Sequence, residues 1–359
     1  MSITYDIIYI GTGPINILDA YYQANTGKKV LMLDSKSQVG GAWVAIPVGD
    51  YGDLEIGCHI WSYNKKVYDF LENLLQLDLV DLKPQPYFLK RNSKIIYDHK
   101  NLFLTSKTIA KKLIRGKFKG TYDFIFSNPS SRMPIIPKRY KYPKGGAREF
   151  QEKLTQLIKS VPVDIKLNEE VEKIEYRGDK WQIKCKGAAE FSSDKVIMTA
   201  TSHLKEISYK NATVKLDYSF INYTHFHIVI KGKPNKPISY IRVLDHDYIH
   251  RISDITYQLS DRSEDVSVLL IGVFDDKVKN MDDEDVMGVL RTYLIHQKFI
   301  TEENEIIYYQ KNRFPTAYSS GEQRQKINDF DDSIELLATT DLIYGLYFRM
   351  PYWKEKGFI

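Results

Sequence analysis

Two apolar runs near the start of the chain organise its reading. Tyr5-Asp6-Ile7-Ile8-Tyr9-Ile10 leads into a glycine turn, a helical stretch, and then Lys29-Val30-Leu31-Met32-Leu33-Asp34, the order of a βαβ unit. Val67 to Leu77 repeats apolar residues at helical spacing, and short strand-like runs follow at 86–90 and 95–98. Leu102 to Leu113 reads as helix again, Ser127-Asn128-Pro129-Ser130-Ser131 as loop, and Pro134 and Pro137 keep the next stretch irregular. Arg148 to Ser160 gathers its apolar residues on one helical face. From Val214 to Phe274 the chain is strand-rich and aromatic, with Tyr218, Phe220, Tyr223, Phe226, Ile228 and Ile230 alternating in part at period two, which predicts a sheet forming one wall of a substrate pocket. Asp282 to Lys298 closes the pattern as helix. Strands and helices mix along the whole length, so the pattern predicts an α/β fold with interleaved domains.

The turn after the first strand, Gly11-Thr12-Gly13-Pro14-Ile15-Asn16, carries the first candidate chemistry. Gly11 makes the tight exit from the strand, and Gly13 lets a pyrophosphate approach backbone N–H groups at the helix N-terminus. The position that normally holds a third glycine is Asn16, larger and polar. Asp34 ends the second strand, where a carboxylate accepts hydrogen bonds from the two hydroxyls of an adenosine ribose and disfavours a 2′-phosphate. Strand, turn, helix, strand and acid fall in register, which makes a dinucleotide the expected ligand. A second glycine pair, Gly40-Gly41, follows within Ser35-Lys36-Ser37-Gln38-Val39-Gly40-Gly41-Ala42-Trp43, and a nicotinamide site has no evident need of it.

Composition narrows the picture further. With 359 residues and 43% apolar content the chain can bury large cores, and two domains are natural. The net charge of +5 is spread without a basic run, so no nucleic acid is expected as a partner. No apolar stretch has the length of a bilayer span, and the expectation is a soluble, cytoplasmic protein with no membrane partner. Cys58 and Cys185 lack metal-ligand or redox-pair spacing and are expected to be reduced thiols. His225 and His227 would share a strand face, and His246 with His250 a helical face, but neither pair has an identifiable third ligand, so no metal is expected.

The run from Gly11 to Trp43 resembles the FAD-binding N-terminus of the flavoprotein superfamily that contains the amine oxidases, protoporphyrinogen oxidases, phytoene desaturases and UDP-galactopyranose mutases. Further segments keep that family's order. Glu55-Ile56-Gly57-Cys58-His59-Ile60-Trp61 is similar to the segment beside the flavin, and Tyr142-Pro143-Lys144-Gly145-Gly146-Ala147 to the opening of the helix that returns to the FAD domain. The stretch 164–174 resembles the strand whose valine, here Val171, meets the adenine through its backbone, and 194–200 resembles the return strand. The resemblance implies FAD as cofactor, contacted by Gly11, Gly13, Pro14, Ile15, Asn16, Asp34, Ser35, Lys36, Gly41, Ala42, Trp43, Gly57, His59, Val171 and Gly345. It implies a Rossmann-like FAD-binding domain (GR2-type, a parallel sheet with helices) over 1–64, 140–205 and 310–359, interleaved with a smaller α+β substrate domain over 65–139 and 206–309. Near the end, Asp341-Leu342-Ile343-Tyr344-Gly345 fits the approach to the family's last turn and helix, but Pro351 predicts that this helix is a stub or that FAD is held more weakly.

The implied function is a flavoenzyme acting on a small-molecule substrate, either an amine or a nucleotide sugar. In the first reading oxidised flavin accepts a hydride at N5 from a carbon bearing nitrogen or oxygen, and His59 tunes the flavin. In the second, similar to the mutases, reduced flavin drives sugar ring contraction while Arg132, in Arg132-Met133-Pro134, and Arg251, in Tyr248-Ile249-His250-Arg251-Ile252, grip a diphosphate. Ser62 stands where many mutases have a second histidine, and their tryptophan- and tyrosine-containing stretch has no counterpart here. The redox reading is favoured because it demands fewer specific matches. A non-catalytic protein on a degenerate flavoenzyme frame is the third reading, motivated by Asn16 and the atypical C-terminus.

Overall fold

A computed structural model describes residues 4–57, 59–61, 64–84, 86–90, 93–95, 110–111, 113–114, 116, 140–199, 204–216, 219–259, 265–318, 327, 329–337 and 342–359. Arg132, Cys58, Ser62 and most of the helix expected over 102–113 lie outside them. The chain divides into two units, the first made of 1–44, 150–221 and 315–359, the second of 45–149 and 222–314. Relative to the expected boundaries, 45–64, 140–149 and 310–314 fall in the second unit and 206–221 in the first, and the second unit is the larger rather than the smaller.

The first unit is built on a nine-stranded mixed sheet. Thr4–Ile10 lies between Val30–Asp34 and Glu190–Met198, parallel to both, and Val30–Asp34 in turn pairs in parallel with Val163–Leu167. All five residues of Val30–Asp34 are buried, as a parallel strand covered on both faces requires. The register sets Ile10 beside both Met198 and Leu33, so the three strands end together, and the turn from Gly11 leaves at the carboxyl edge of the sheet. Open parallel sheets bind ligands at that edge. Val171–Arg177, Lys180–Cys185 and Glu190–Met198 form an antiparallel meander around the fully buried Trp181, which packs edge-on to Tyr176 and stacks on Tyr209.

The helix Pro14–Asn25 begins with proline at its first position, where the missing N–H costs no hydrogen bond, and ten of its twelve residues are buried. Its inward Asp19, 0% exposed, accepts from Tyr9 Oη at 2.6 Å, from Arg349 Nε at 2.9 Å and from Trp353 Nε1. Arg349 Nη1 also spans both oxygens of Glu335, and its guanidinium lies 4.0 Å from the centre of the Tyr352 ring. Burial alone would lower the Arg349 pKa, but Asp19 and Glu335 outweigh it and hold the group charged.

Those contacts explain a departure from the sequence pattern. The last helix is no stub: it runs fourteen residues, Leu342–Glu355, straight through Pro351. The proline forfeits one backbone hydrogen bond, while Arg349 and Trp353 anchor the helix on either side of it. Gly345 is the fourth residue of this helix and not a turn glycine, which corrects its expected place.

In the second unit a seven-stranded sheet runs Ile306–Tyr318, Ser219–Lys231, Val266–Phe274, Ile249–Asp254, Tyr240–Val243, Tyr87–Lys90, Ser93–Ile95. On one face Phe226, Ile228, Ile230, Ile252 and Ile271 join Val286, Leu290 and Leu294 of the helix Asp283–His296 in a single core. The other face carries Val229, Val268 and Leu270, packed with Val48, Leu54 and Ile255. His225 and His227 alternate with Phe226 and Ile228 and so share this second face. Among the described residues no helix is long and apolar enough to cross a membrane.

Because removing one partner of a buried ion pair strands the other charge, Arg349→Met should lower stability by about 3–5 kcal/mol. Lys65→Ala, which breaks the exposed Lys65–Asp69 pair, should cost less than about 1 kcal/mol. Urea unfolding of the two variants measures the contrast, and equal small losses would show that the Asp19 cluster does not hold the unit together.

Candidate functional site

In the first unit the glycine turn and the second glycine pair pack against each other. Gly11 takes φ +90°, and its N–H donates to the Leu33 carbonyl at 2.7 Å, which turns the chain sharply at the strand end. Gly13 caps the helix Pro14–Asn25, and Ile17 N–H is the first to reach back to the Gly13 carbonyl. The N–H groups of such a first turn have no intrahelical acceptor and favour an anion. Gly41, at φ +65°, lies directly on this turn: a Cβ there would stand 3.1 Å from the Gly13 Cα and 3.4 Å from its nitrogen. Gly40 N–H donates to the Thr12 carbonyl, Gln151 Nε2 holds the Val39 carbonyl, and Lys36 Nζ holds the Gly41 carbonyl at 2.8 Å. Gly11, Gly13, Pro14, Ile15, Asn16, Asp34, Ser35, Lys36, Gly41, Ala42 and Trp43 are thus gathered along one connected stretch of backbone. Trp43 sets its edge against the buried Phe150.

Asn16 is accommodated rather than disruptive. Its amide Nδ2 donates to the carbonyls of Ile10 and Gly11 at 3.1 and 2.8 Å, tying the helix to the strand it follows. Its Oδ1 is buried without a partner among the described residues, an acceptor left beside the turn.

Asp34 is 8% exposed and already receives three donors of the chain: Thr12 N at 2.7 Å, Thr12 Oγ1 at 2.6 Å and Lys36 N at 2.9 Å. A carboxylate offers about four lone-pair positions, so one remains, and a second opens when the Thr12 hydroxyl rotates away. The link to Val171 is fixed to the same place, since Glu169 N–H donates to the Asp34 carbonyl and Asn168 N–H to that of Lys36. The Val171 side chain itself lies in the sheet core.

The second unit holds Gly57, His59 and Arg251. The His59 ring folds back on its own chain, leaving Cε1 3.0 Å from where a Gly57 Cβ would be. Just before it, Glu55 is 1% exposed, a residue to which the sequence reading assigned no role. Its carboxylate accepts from Tyr142 Oη at 2.7 Å and is also held by the backbones of His59 and Ala147. Burial nevertheless pushes its pKa up to about 7, with those hydrogen bonds pulling the other way. Its signal in the sequence was a lone acid within Leu54-Glu55-Ile56, directly before the glycine.

The Glu55 carbonyl lies 2.8 Å from His227 Nε2 and so fixes that nitrogen as the donor, while His227 Nδ1 accepts from Asn312. Burial lowers the His227 pKa to about 4, against the pull of the Glu55 carbonyl. Arg251 sits on the same sheet face, paired in register with Gly272, its guanidinium 5.8 Å from the Tyr223 ring centre. His246 and His250 do not share a helical face. His246 Nδ1 accepts from the N–H groups of Tyr248 and Ile249 in a turn, and His250 belongs to the strand Ile249–Asp254.

Residues 94–231 match the family model described as flavin containing amine oxidoreductase. No curated protein sequence matches the chain. Among solved structures, a reduced UDP-galactopyranose mutase aligns with TM-score 0.68 at 12% identity, covering 98% of this chain and 94% of its own. A putrescine oxidase bound to putrescine aligns with TM-score 0.62 at 12% identity, covering 97% and 96%. An Exiguobacterium protein assigned as a protoporphyrinogen oxidase gives 0.62 at 13%, covering 99% and 98%. The likeness to these structures is one of fold. The family match over 94–231 and the fold shared with these structures support the resemblance to the FAD-dependent amine oxidase superfamily, and the family match carries with it FAD as the cofactor.

Glu55 supplies a pH test. Between the ordinary value of 4.5 and about 7 the folded chain keeps a proton that the unfolded chain has lost, so this carboxyl makes stability fall as pH rises through that window. The full effect is about 3 kcal/mol. His227 acts in the opposite sense between 6.5 and about 4, so the readout is a difference. Urea unfolding of the wild type and Glu55→Gln from acid to neutral pH should give stability curves that diverge across the window, and parallel curves would refute the assignment.

Proposed function

We propose that the chain is an FAD-dependent oxidoreductase that takes a hydride from a small polar substrate. The observation that carries this reading is the cradle made by the contact of Gly41 on Gly13, where a side chain at Gly41 would meet the Gly13 backbone, in the same turn whose Thr12 N–H holds the Asp34 carboxylate. The residues fit the adenosine-diphosphate half of the cofactor: first-turn N–H groups for the pyrophosphate, and Asp34 with the rotatable Thr12 hydroxyl for the ribose. The resemblance assigns Val171 to the adenine and Gly57 with His59 to the flavin ring. When bound, FAD supplies the electron acceptor at N5 of its ring system. The chain's own residues bind and orient: the buried Glu55 fixes the backbone of His59, and Arg251 offers a guanidinium to an anionic group of the substrate.

A mutase-like sugar-nucleotide reaction is the second reading, favoured by the placement of Arg251 beside Tyr223 and by the fold shared with the UDP-galactopyranose mutase. Neither observation behind the degenerate-frame reading weakens the cradle, since Asn16 ties the turn and the last helix is complete.

The near-ultraviolet and visible absorption spectrum, recorded with added FAD and then a reductant, tests the proposal. Flavin bands that bleach on reduction are the expected outcome, and a wild-type protein that takes up no FAD would sink it. Gly41→Ala should abolish retention, because the methyl meets Gly13 at 3.1 Å and the backbone is left-handed there. Asp34→Asn should weaken FAD binding about 10- to 100-fold in a flavin fluorescence titration, as loss of a charged hydrogen-bond acceptor does.

A further inference from the structure

The second unit contains two buried imidazoles that no part of the proposed flavin chemistry uses. His225 is 1% exposed, and neither of its ring nitrogens has a hydrogen-bond partner among the described residues. His250, 8% exposed, likewise leaves Nε2 without a partner. Buried polar groups are almost always satisfied, so three orphaned nitrogens in one place point to a missing ligand.

The strands are shaped to bring these rings together. Ile249 pairs with Val273 and Arg251 with Gly272, so His250 is the extra residue of a β-bulge. A bulge re-aims a side chain, and here the period-two alternation is broken so that His250 joins Arg251 on the face of His225. Gly272, paired on its other side with His225, lies between them. A Cβ at Gly272 would stand 3.0 Å from His250 Nε2, 2.7 Å from its Cε1 and 3.1 Å from His225 Nε2. Both Nε2 atoms therefore border one point, which a side chain would fill. The rings are clamped in place: Phe314 stacks on His225 at 5.1 Å and 7°, Phe274 leans on His250 at 5.0 Å, and Tyr223 touches both.

The ligand's chemistry follows from what these nitrogens offer. Burial and the Arg251 charge hold His250 neutral, its pKa lowered to about 4, while a hydrogen bond to the Val273 backbone pulls the other way. That bond uses its one N–H, so Nε2 is an acceptor and asks for a donor. His225 is also kept neutral, by burial first and then by His250 and Arg251, and offers one donor and one acceptor. A hydroxyl satisfies the Nε2 atoms of both rings at once, donating to His250 and accepting from His225. An ammonium or metal ion would meet the Arg251 charge, whereas an anionic group beside the hydroxyl would be drawn to it.

We propose that His225, His250 and Arg251 form a binding site for a small hydroxylated anion, in which the imidazole pair reads a hydroxyl and the guanidinium holds the anionic group. The site lies wholly within the second unit; it shares Arg251 with the substrate reading above and in that respect rests on it.

The test uses the full chain with FAD added and follows the imidazole nitrogen and proton resonances, assigned by His225→Gln and His250→Gln. Glycerol 3-phosphate should move the His225 and His250 signals saturably, and propyl phosphate, the same anion without hydroxyls, should bind about tenfold more weakly. Gly272→Ala, which puts a methyl between the rings, should remove the response. If that variant misfolds, the wild-type comparison of the two phosphates still decides. Equal responses to both phosphates, no imidazole response to glycerol 3-phosphate, a response to putrescine instead, or one to FAD alone with none to follow would each overturn the proposal. Flavin fluorescence, read in the same samples, separates a failure of cofactor binding from a failure of this site.

Discussion

The Asp19 carboxylate is the constraint on which the first unit depends. It sits without solvent on the helix that opens the dinucleotide cradle, and it draws donors from the first strand, through Tyr9, and from the last helix, through Arg349 and Trp353. A buried ion pair of this kind returns little net stability over an apolar replacement, because both charges must leave water. It does make any other arrangement expensive, since a slipped helix would strand a carboxylate or a guanidinium. Glu335, on the short strand beside Glu190–Met198, extends the same demand to a fourth element. The ends of the chain are thereby fixed to one point, and the N-terminus of the first helix inherits a defined position.

The second unit follows a different electrostatic rule. Its buried titratable groups are largely kept neutral, with Glu55 raised and His225, His227 and His250 lowered, in each case chiefly by burial. Neutral groups can line a sheet face without the solvation cost of charges, provided their hydrogen bonds are met. Glu55 and His227 meet theirs within the chain, through Tyr142, Asn312 and the backbone. Among the described residues His225 and the Nε2 of His250 do not, and that contrast between neighbours on one face is what separates a structural network from a place for a ligand.

Much of the fold was legible because its signals are local. The βαβ unit, the helix Lys65–Leu75, the helix Asp283–His296 and the strands around His225 all follow from periodicity over a few residues. What the pattern misjudged depended on distant residues. Pro351 reads as a helix breaker until Asp19, more than three hundred positions earlier, supplies the anchor. Asn16 reads as a defect until its amide is seen on the carbonyls of the strand behind it. The approach of His250 to His225 depends on a bulge and on the registers of three strands, none of which is written in the spacing of the histidines. Gly272 was the one local hint, a glycine inside an otherwise apolar strand, where the usual meaning is close approach of something else.

Asp34 shows how far a motif's residue types reach. An acid at the end of the second strand is expected to serve a ribose, yet here the chain itself engages it through both the backbone and the hydroxyl of Thr12. The backbone bond is fixed by the turn, but the hydroxyl bond is a rotor and can be exchanged for a ligand hydroxyl with little loss, one O–H···O contact replacing another. Thr12 Oγ1 also accepts from the Gly40 N–H at 3.3 Å, a bond to the second glycine pair that does not use the hydroxyl hydrogen given to Asp34. A ribose hydroxyl taken up at Asp34 would then be coupled, through Thr12, to the same backbone contact that places Gly41 on Gly13. The two halves of the cradle, acid and glycine pair, act as one element joined by a single threonine.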